Sequence, residues 1–237
     1  MTEASPLPLF AVPSPETCVY RLSPRPKRTF HTILDALELF PPPGVFHTRV
    51  TTALEGDAFT LRTEHELRGA KLLEVLTCRA DGGLVADAFT RTMHLHDGRE
   101  ARREELRFGL GPVPLPRDLF PEVCLPFLLR GQPFDKARRS VHAWISDRFV
   151  ARVYYEARRT RAVEVPAGRF ECWEVEMYPD LNDWVKMPRV LAELSKPFLP
   201  KYHMHYELRP PHRLVHFEGP LGPPGAPEVV LELLRGG

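Results

Sequence analysis

The stretch FTLRTEHELR, residues 59–68, assigns its side chains alternately to two different faces. One face of an extended chain would carry Phe59, Leu61, Thr63, His65 and Leu67. The opposite face would carry Thr60, Arg62, Glu64, Glu66 and Arg68. Because successive side chains of a strand point to opposite sides, this pattern is typical of a half-buried strand in an antiparallel sheet.

Turn-forming residues separate this stretch from others like it. They occur at Glu55-Gly56-Asp57, Arg68-Gly69, Asp81-Gly82-Gly83 and Asp97-Gly98, and they delimit the hairpins of a meander. Alternation resumes over residues 141–159 and 169–178, and the last predicted strands cover 201–208, 213–218 and 227–234. The predicted fold class is mainly β: a strongly curved antiparallel sheet, or a partly open β-barrel, with two or three short helices.

The helices are predicted from apolar residues spaced three and four apart. TFHTILDALELF, residues 29–40, shows this spacing and ends at the prolines from Pro41 onward. KMPRVLAELSKPF, residues 186–198, is a second candidate, and residues 117–131 contain a short helical turn capped by Gly131. We expect residues 1–28 to form an extended N-terminal arm and residues 29–237 to form a single β-rich domain.

Composition narrows the class of protein. The net charge is +1, from 32 basic and 31 acidic residues, which argues against nucleic-acid binding because such proteins usually carry a strongly basic face. No apolar stretch approaches the ~18 residues that a membrane span needs. The first residues lack the basic and apolar regions of a signal peptide, so we expect a cytoplasmic protein. The four cysteines are widely spaced, which predicts buried free thiols.

A resemblance to a known family enters at EVPAGRFECWEVEMY, residues 164–178. This strand, tight turn and second strand, centred on Val165-Pro166-Ala167-Gly168-Arg169-Phe170, resemble a signature of bacterial DUF3108-type proteins, which are related to the LolA-like lipoprotein and lipid carriers. The closing segment, residues 213–234, fits the strand pair that ends those proteins. The resemblance implies an open barrel with a helix on its concave face and an apolar ligand cavity between the two.

We therefore expect the concave face to bind an apolar or amphiphilic small molecule, such as a lipid. The residues expected to line the site are mostly aromatic or otherwise apolar: Phe59, Leu61, His65, Met93, Trp144, Tyr155, Trp173, Tyr202, Met204 and Tyr206. A well-packed core explains the same residues equally well. A protein–protein scaffold with a filled interior is therefore one alternative.

A small enzyme acting on such a ligand is another alternative. His65 lies among apolar residues on the predicted inner face, where it is a candidate catalytic acid or base. No G-x-S-x-G, P-loop, G-x-G-x-x-G or H-E-x-x-H motif appears. Whether the protein is an enzyme, and whether it uses a cofactor, stays open at this point.

The stretch KYHMHYEL, residues 201–208, raises the question of a metal. If residues 209–212 form a hairpin loop, Tyr206 faces Val215, Met204 faces Phe217, His205 faces His216 and His203 faces Glu218. His203, His205 and His216 then share one face and are candidate metal ligands, since cross-strand Cβ atoms lie ~5 Å apart. An ordinary solvated strand face is the alternative, and a one-residue shift in register would separate the histidines.

Overall fold

The computed structural model describes residues 7–8, 15–25, 46–67, 69–80, 82–109, 115–130, 132–146, 149–180, 201–220 and 228–237. The helices predicted at 29–40 and 186–198 lie outside these residues. Within the described ranges, thirteen strands form one sheet, which confirms the predicted fold class. No helix in the described part of the chain has the length and apolar character needed to cross a membrane.

The strands follow the predicted alternation closely. Their bounds are β1 Glu16–Pro24, β2 Phe46–Glu55, β3 Ala58–Leu67, β4 Ala70–Ala80, β5 Leu84–Leu95, β6 Glu100–Arg107, β7 Leu119–Pro121, β8 Arg139–Ser146, β9 Phe149–Val165, β10 Gly168–Pro179, β11 Tyr202–Glu207, β12 Leu214–Pro220 and β13 Glu228–Gly236. A 3₁₀ turn, Glu122–Cys124, and a single-turn helix α1, Leu125–Leu128, follow β7.

The sheet order is β6-β5-β4-β3-β2-β1-β13-β12-β11-β10-β9-β8-β7. Every pair is antiparallel except β7 with β8. The predicted meander forms β2 to β6, and the tight turns before β3 and β5 use Gly56 and Gly82 at φ values of 62° and 61°, a backbone region that glycine adopts without steric strain. The first and last strands, β1 and β13, pair and join the two halves of the sheet.

The sheet curls strongly. β5 approaches β7 although they lie near opposite ends of the strand order. The rings of Phe89 on β5 and Trp144 on β8 have centroids 6.2 Å apart. The strand order itself stays open, so the sheet is a partly open barrel with a deep concave face.

The segment from Asp118 to Arg130, which we call the inner segment, lies in this concave face. Every residue in it is buried. Phe127 packs on Tyr20 of β1 with ring centroids 6.0 Å apart, and the Pro126 carbonyl accepts a hydrogen bond from Tyr206 of β11. A segment this short can touch strands from both halves of the sheet only from the inside.

Tertiary packing, and not helix propensity, stabilises α1. One helical turn is far below the length at which isolated helices are stable in water. Pro126 stands at its first turn, where its missing N–H is not required. Leu125 and Leu128 are fully buried, so burial of apolar side chains holds this turn in place.

The predicted register of the β11–β12 hairpin is largely confirmed. Met204 pairs with Phe217, His205 with His216 and His203 with Glu218. The expected pairing of Tyr206 with Val215 is wrong, since Tyr206 pairs with Leu214 across a bulge. A bulge adds one residue to one strand, and periodicity in the sequence does not reveal it.

Leu128→Ala should test whether the inner segment is core. We expect the free energy of unfolding to fall by about 2–5 kcal/mol, because truncating a fully buried leucine loses transfer free energy and leaves a cavity. Leu115, with 39% of its surface exposed, supplies the control Leu115→Ala, for which a change within about 0.5 kcal/mol is expected. Equal urea midpoints for the two variants would contradict a seated inner segment.

Candidate functional site

A row of polar side chains crosses the concave face from β2 to β5. Thr48, His65, Glu74 and Arg91 belong to four neighbouring strands. They alternate with apolar inward residues, so the strand period that buries Leu76 also turns Glu74 inward. Thr48, His65 and Glu74 are each at least 97% buried.

These side chains bond to one another in sequence. His65 Nδ1 lies 2.9 Å from Thr48 Oγ1, and His65 Nε2 lies 3.4 Å from Glu74 Oε2. Arg91 Nε donates to the other oxygen of Glu74 at 2.7 Å and approaches Glu104 of β6 at 3.6 Å. With Nε2 protonated, His65 donates to Glu74 and accepts from the Thr48 hydroxyl.

The opposite charges of Glu74 and Arg91 stabilise each other, so each group favours its ionised form. Burial alone would raise the pKa of Glu74, but the hydrogen bond from His65 and the charge of Arg91 outweigh it and lower that pKa. Burial would lower the pKa of Arg91, and the charge of Glu74 reverses this and raises it. The row is thus a compensated buried network, which is costly to break by removing one partner.

The inner segment adds a carboxyl group near this row. Glu122 accepts a hydrogen bond from the Tyr202 hydroxyl of β11. Burial raises the pKa of Glu122 to about 8, against a smaller lowering effect of Arg91. Glu122 is therefore largely uncharged at neutral pH, as expected for a carboxyl group removed from water without a direct counter-ion.

A second charged group holds the other end of the inner segment. Arg130 donates through both terminal nitrogens to the Glu16 carboxylate of β1. It also donates to the Pro211 carbonyl at 2.8 Å. Glu16 and Arg130 are 2% and 5% exposed, so this is a buried ion pair.

Tyrosines of the sheet contact the middle of the inner segment and the residues after it. Tyr206 donates to the Pro126 carbonyl at 2.6 Å and stacks on Phe134 at 5.0 Å. Tyr155 donates to the Gln132 side chain at 3.4 Å. These hydroxyls satisfy polar groups that would otherwise be buried without partners.

The structure places the predicted ligand-lining residues in the interior or at its rim. Seven of them are buried: Phe59, Leu61, His65, Tyr155, Tyr202, Met204 and Tyr206. Trp144 and Trp173 are half-buried against the core, and Met93 is half-buried on β5. Between Tyr20, Phe127 and Arg130, the interior leaves a void of about 10 Å³, which holds at most one water molecule. This void is too small for a ligand.

The sequence interpretation missed the charged members of the site. Alternation already places Glu74 on the face of Leu72 and Leu76, and this pattern could have identified it. No local pattern could have identified the pairing of Glu16 with Arg130, since the two residues are 114 positions apart in the chain. Glu122 lies in a proline-rich stretch without periodicity.

The candidate metal ligands lie on the opposite face of the sheet. His205 and His216 are paired across β11 and β12 with ring centroids 5.3 Å apart. His205 is 4% exposed, neither of its ring nitrogens has a hydrogen-bond partner, and burial lowers its pKa to about 4. Among the residues that the structure describes, no three His, Cys, Asp or Glu side chains are arranged to hold a metal ion.

No protein-family model matches the chain, and no curated protein matches it either. One similar solved structure, from Parabacteroides distasonis, is described as "a putative lipoprotein"; it is 10% identical, with a TM-score of 0.34, over 98% of this chain and 100% of that chain. Another, from Bacteroides fragilis, is described as "a putative exported protein with YmcC-like fold"; it is 12% identical, with a TM-score of 0.35, over 96% and 98%.

These comparisons bear on two expectations from the sequence, and they correct one of them. The resemblance to DUF3108-type and LolA-like proteins has no matching family model, and the similarity found is to bacterial proteins of the two descriptions above. The expected cytoplasmic location is contradicted, because those descriptions name a lipoprotein and an exported protein. That expectation depended on features missing from the first residues, and such an absence does not establish a location.

Glu122 should make the stability depend on pH. Its pKa is about 8 in the folded protein against an ordinary 4.5, so between these values the folded state holds a proton that the unfolded state has released. The free energy of unfolding should therefore fall as the pH rises, by about 1–2 kcal/mol between pH 6.5 and 8. His205 has the opposite effect only below pH 6.5, since its pKa is lowered from 6.5 to about 4.

Urea unfolding of the wild type and of Glu122→Gln over this pH range measures the effect. The variant carries an uncharged amide at every pH, so we expect its stability to be flatter between pH 6.5 and 8. Parallel curves for the two proteins would mean that another group titrates.

Proposed function

We propose that the protein binds an apolar or amphiphilic small molecule on its concave face, in the place that the inner segment occupies in this conformation. The observation that carries the proposal is the inner segment itself. It is an apolar stretch with polar groups near both ends, seated on the sheet through the Tyr202 and Tyr206 hydroxyls and through Glu16. An amphiphile of similar length offers the sheet the same chemistry.

The attachments of the inner segment are short, which supports its displacement. β7 pairs with β8 over three residues, and α1 is a single turn. Its other contacts include a backbone hydrogen bond from the His142 N–H to the Asp118 carbonyl at 3.1 Å, and the hydrogen bonds of Glu122 and Arg130 involve buried ionisable groups. Separating such a buried pair is costly unless another group takes the place of the lost partner, so a ligand that supplies this group favours displacement.

Displacement predicts a reduced apparent affinity. If only a small fraction of molecules has the inner segment displaced, the apparent dissociation constant rises by the inverse of that fraction. A ligand that binds the open sheet then shifts the population toward it.

A charged groove on the opposite face is a less suitable site for an apolar molecule. It has a volume of about 470 Å³ and is lined by Val19, His47, Arg49, Glu64, Glu66, Lys71, Leu234 and Arg235. Most of these side chains are charged, so an apolar ligand would gain little from burial there.

Native mass spectrometry with decanol, combined with thiol labelling, tests the proposal. Cys124 lies on the inner segment and is 1% exposed, whereas Cys172 of β10 is fully buried outside that segment. We expect a bound decanol and, with it, at least tenfold faster N-ethylmaleimide labelling of Cys124, while Cys172 stays protected. Cys172 thus serves as a control within the same molecule.

Two results would contradict the proposal. If no decanol adduct forms at decanol concentrations well above micromolar, the concave face does not bind such a ligand. An adduct formed while Cys124 stays as protected as before would place the ligand elsewhere on the protein.

A further inference from the structure

We infer that Glu16, Thr52 and the Pro211 carbonyl form a subsite for a cationic head group of the ligand, a primary ammonium or a guanidinium, which Arg130 occupies in this conformation. The inference rests on the proposed function, because the subsite becomes available only when the inner segment leaves. It adds the chemical class of the ligand, which is a cationic amphiphile.

Glu16 is the charged member of the subsite. It is 2% exposed, and within the described part of the chain its hydrogen bonds come from Arg130. The other nearby cation, Arg213, is engaged by Glu207 at 2.7 Å and donates to the Gly236 carbonyl at 2.9 Å. When Arg130 leaves with the inner segment, the Glu16 carboxylate loses its counter-ion on the concave face, and a cationic head group can take the place of the guanidinium.

Thr52 provides an independent observation at the same place. It is directly opposite Glu16 in the β1–β2 pair and is 4% exposed, and its hydroxyl oxygen has no hydrogen-bond partner. It lines the small void beside Arg130. A buried hydroxyl without a partner is rare in folded proteins and calls for an explanation; here it is an additional acceptor that the guanidinium of Arg130 does not use.

The Pro211 carbonyl completes the set. It accepts from Arg130 Nη2 at 2.8 Å and from Nε at 3.2 Å. The subsite therefore presents a carboxylate, a hydroxyl and a carbonyl, all of which can accept hydrogen bonds. A primary ammonium has three donors and no acceptor, which matches this set.

Among the residues that the structure describes, the other end of the concave face offers no comparable site for an anion. Arg91 is the inward cation there, and its charge is taken up by Glu74 at 2.7 Å and Glu104 at 3.6 Å. When Glu122 leaves with the inner segment, the group that remains at its place is the uncharged hydroxyl of Tyr202. The asymmetry of charge thus orients the ligand, with its cationic head at Glu16 and its tail toward Tyr202.

Three ligands with the same ten-carbon chain test the inference: decylammonium, decanol and decanoate, each measured by calorimetry with the wild-type protein. We expect decylammonium to bind at least tenfold more tightly than decanol, and decanoate to bind most weakly. Equal affinities, or tightest binding of decanoate, would overturn the inference and leave the proposed function standing. Binding of none of the three would contradict the proposed function itself.

Glu16→Gln should abolish the preference for decylammonium over decanol, because the amide carries no charge. Glu232→Gln is the matched control, since Glu232 pairs with Arg21 on the outer face at 2.6 Å; it should keep the full preference. An unchanged preference in Glu16→Gln would assign the ammonium to the protein surface and overturn the inference.

If Glu16→Gln does not fold, Arg130→Ala provides a second measurement. Removing the side chain of Arg130 empties the subsite, so millimolar guanidinium should raise the melting temperature of this variant. The same salt should not raise that of the wild type. Equal responses of the two proteins would overturn the inference.

Discussion

The need to cover one apolar sheet face governs this structure. A sheet with a continuous inward row such as Leu61, Leu76 and Phe89 has to bury that face against something. The sheet curls until β5 approaches β7, but its strand order does not close. The inner segment lies in the space that remains, and its own short helix exists because that space is apolar. Curvature of the sheet and seating of the segment therefore depend on each other.

The interior is not uniformly apolar, and its polarity has a clear arrangement. Buried apolar side chains of residues 123–129 lie between Glu122 and Arg130. Each meets a polar group of the sheet, Tyr202 in one case and Glu16 in the other. A core selected for stability alone would gain from apolar residues at these positions. This arrangement is the physical reason for interpreting the segment as the occupant of a binding face.

Much of the sheet and part of the site could be predicted from local sequence. Period-two alternation placed Phe59, Leu61 and His65 on one face because neighbouring side chains of a strand must diverge. The same rule applied to β4 would have added Glu74. The pairing of His205 with His216 followed from the loop position, but the burial of His205 did not, because burial depends on what covers the strand.

The sequence by itself determined the class of fold, most of the strands and the face on which their side chains lie, since these depend on contacts between near neighbours in the chain. It did not predict β1, which lies in the expected N-terminal arm, or β7, which lies in the expected helical turn. Only the tertiary structure decided that residues 118–130 enter the concave face and that Arg130 meets Glu16 across 114 residues. Those facts depend on how far the sheet curls. Curl is the sum of twist and bulges over many strands, and no single stretch of sequence encodes it.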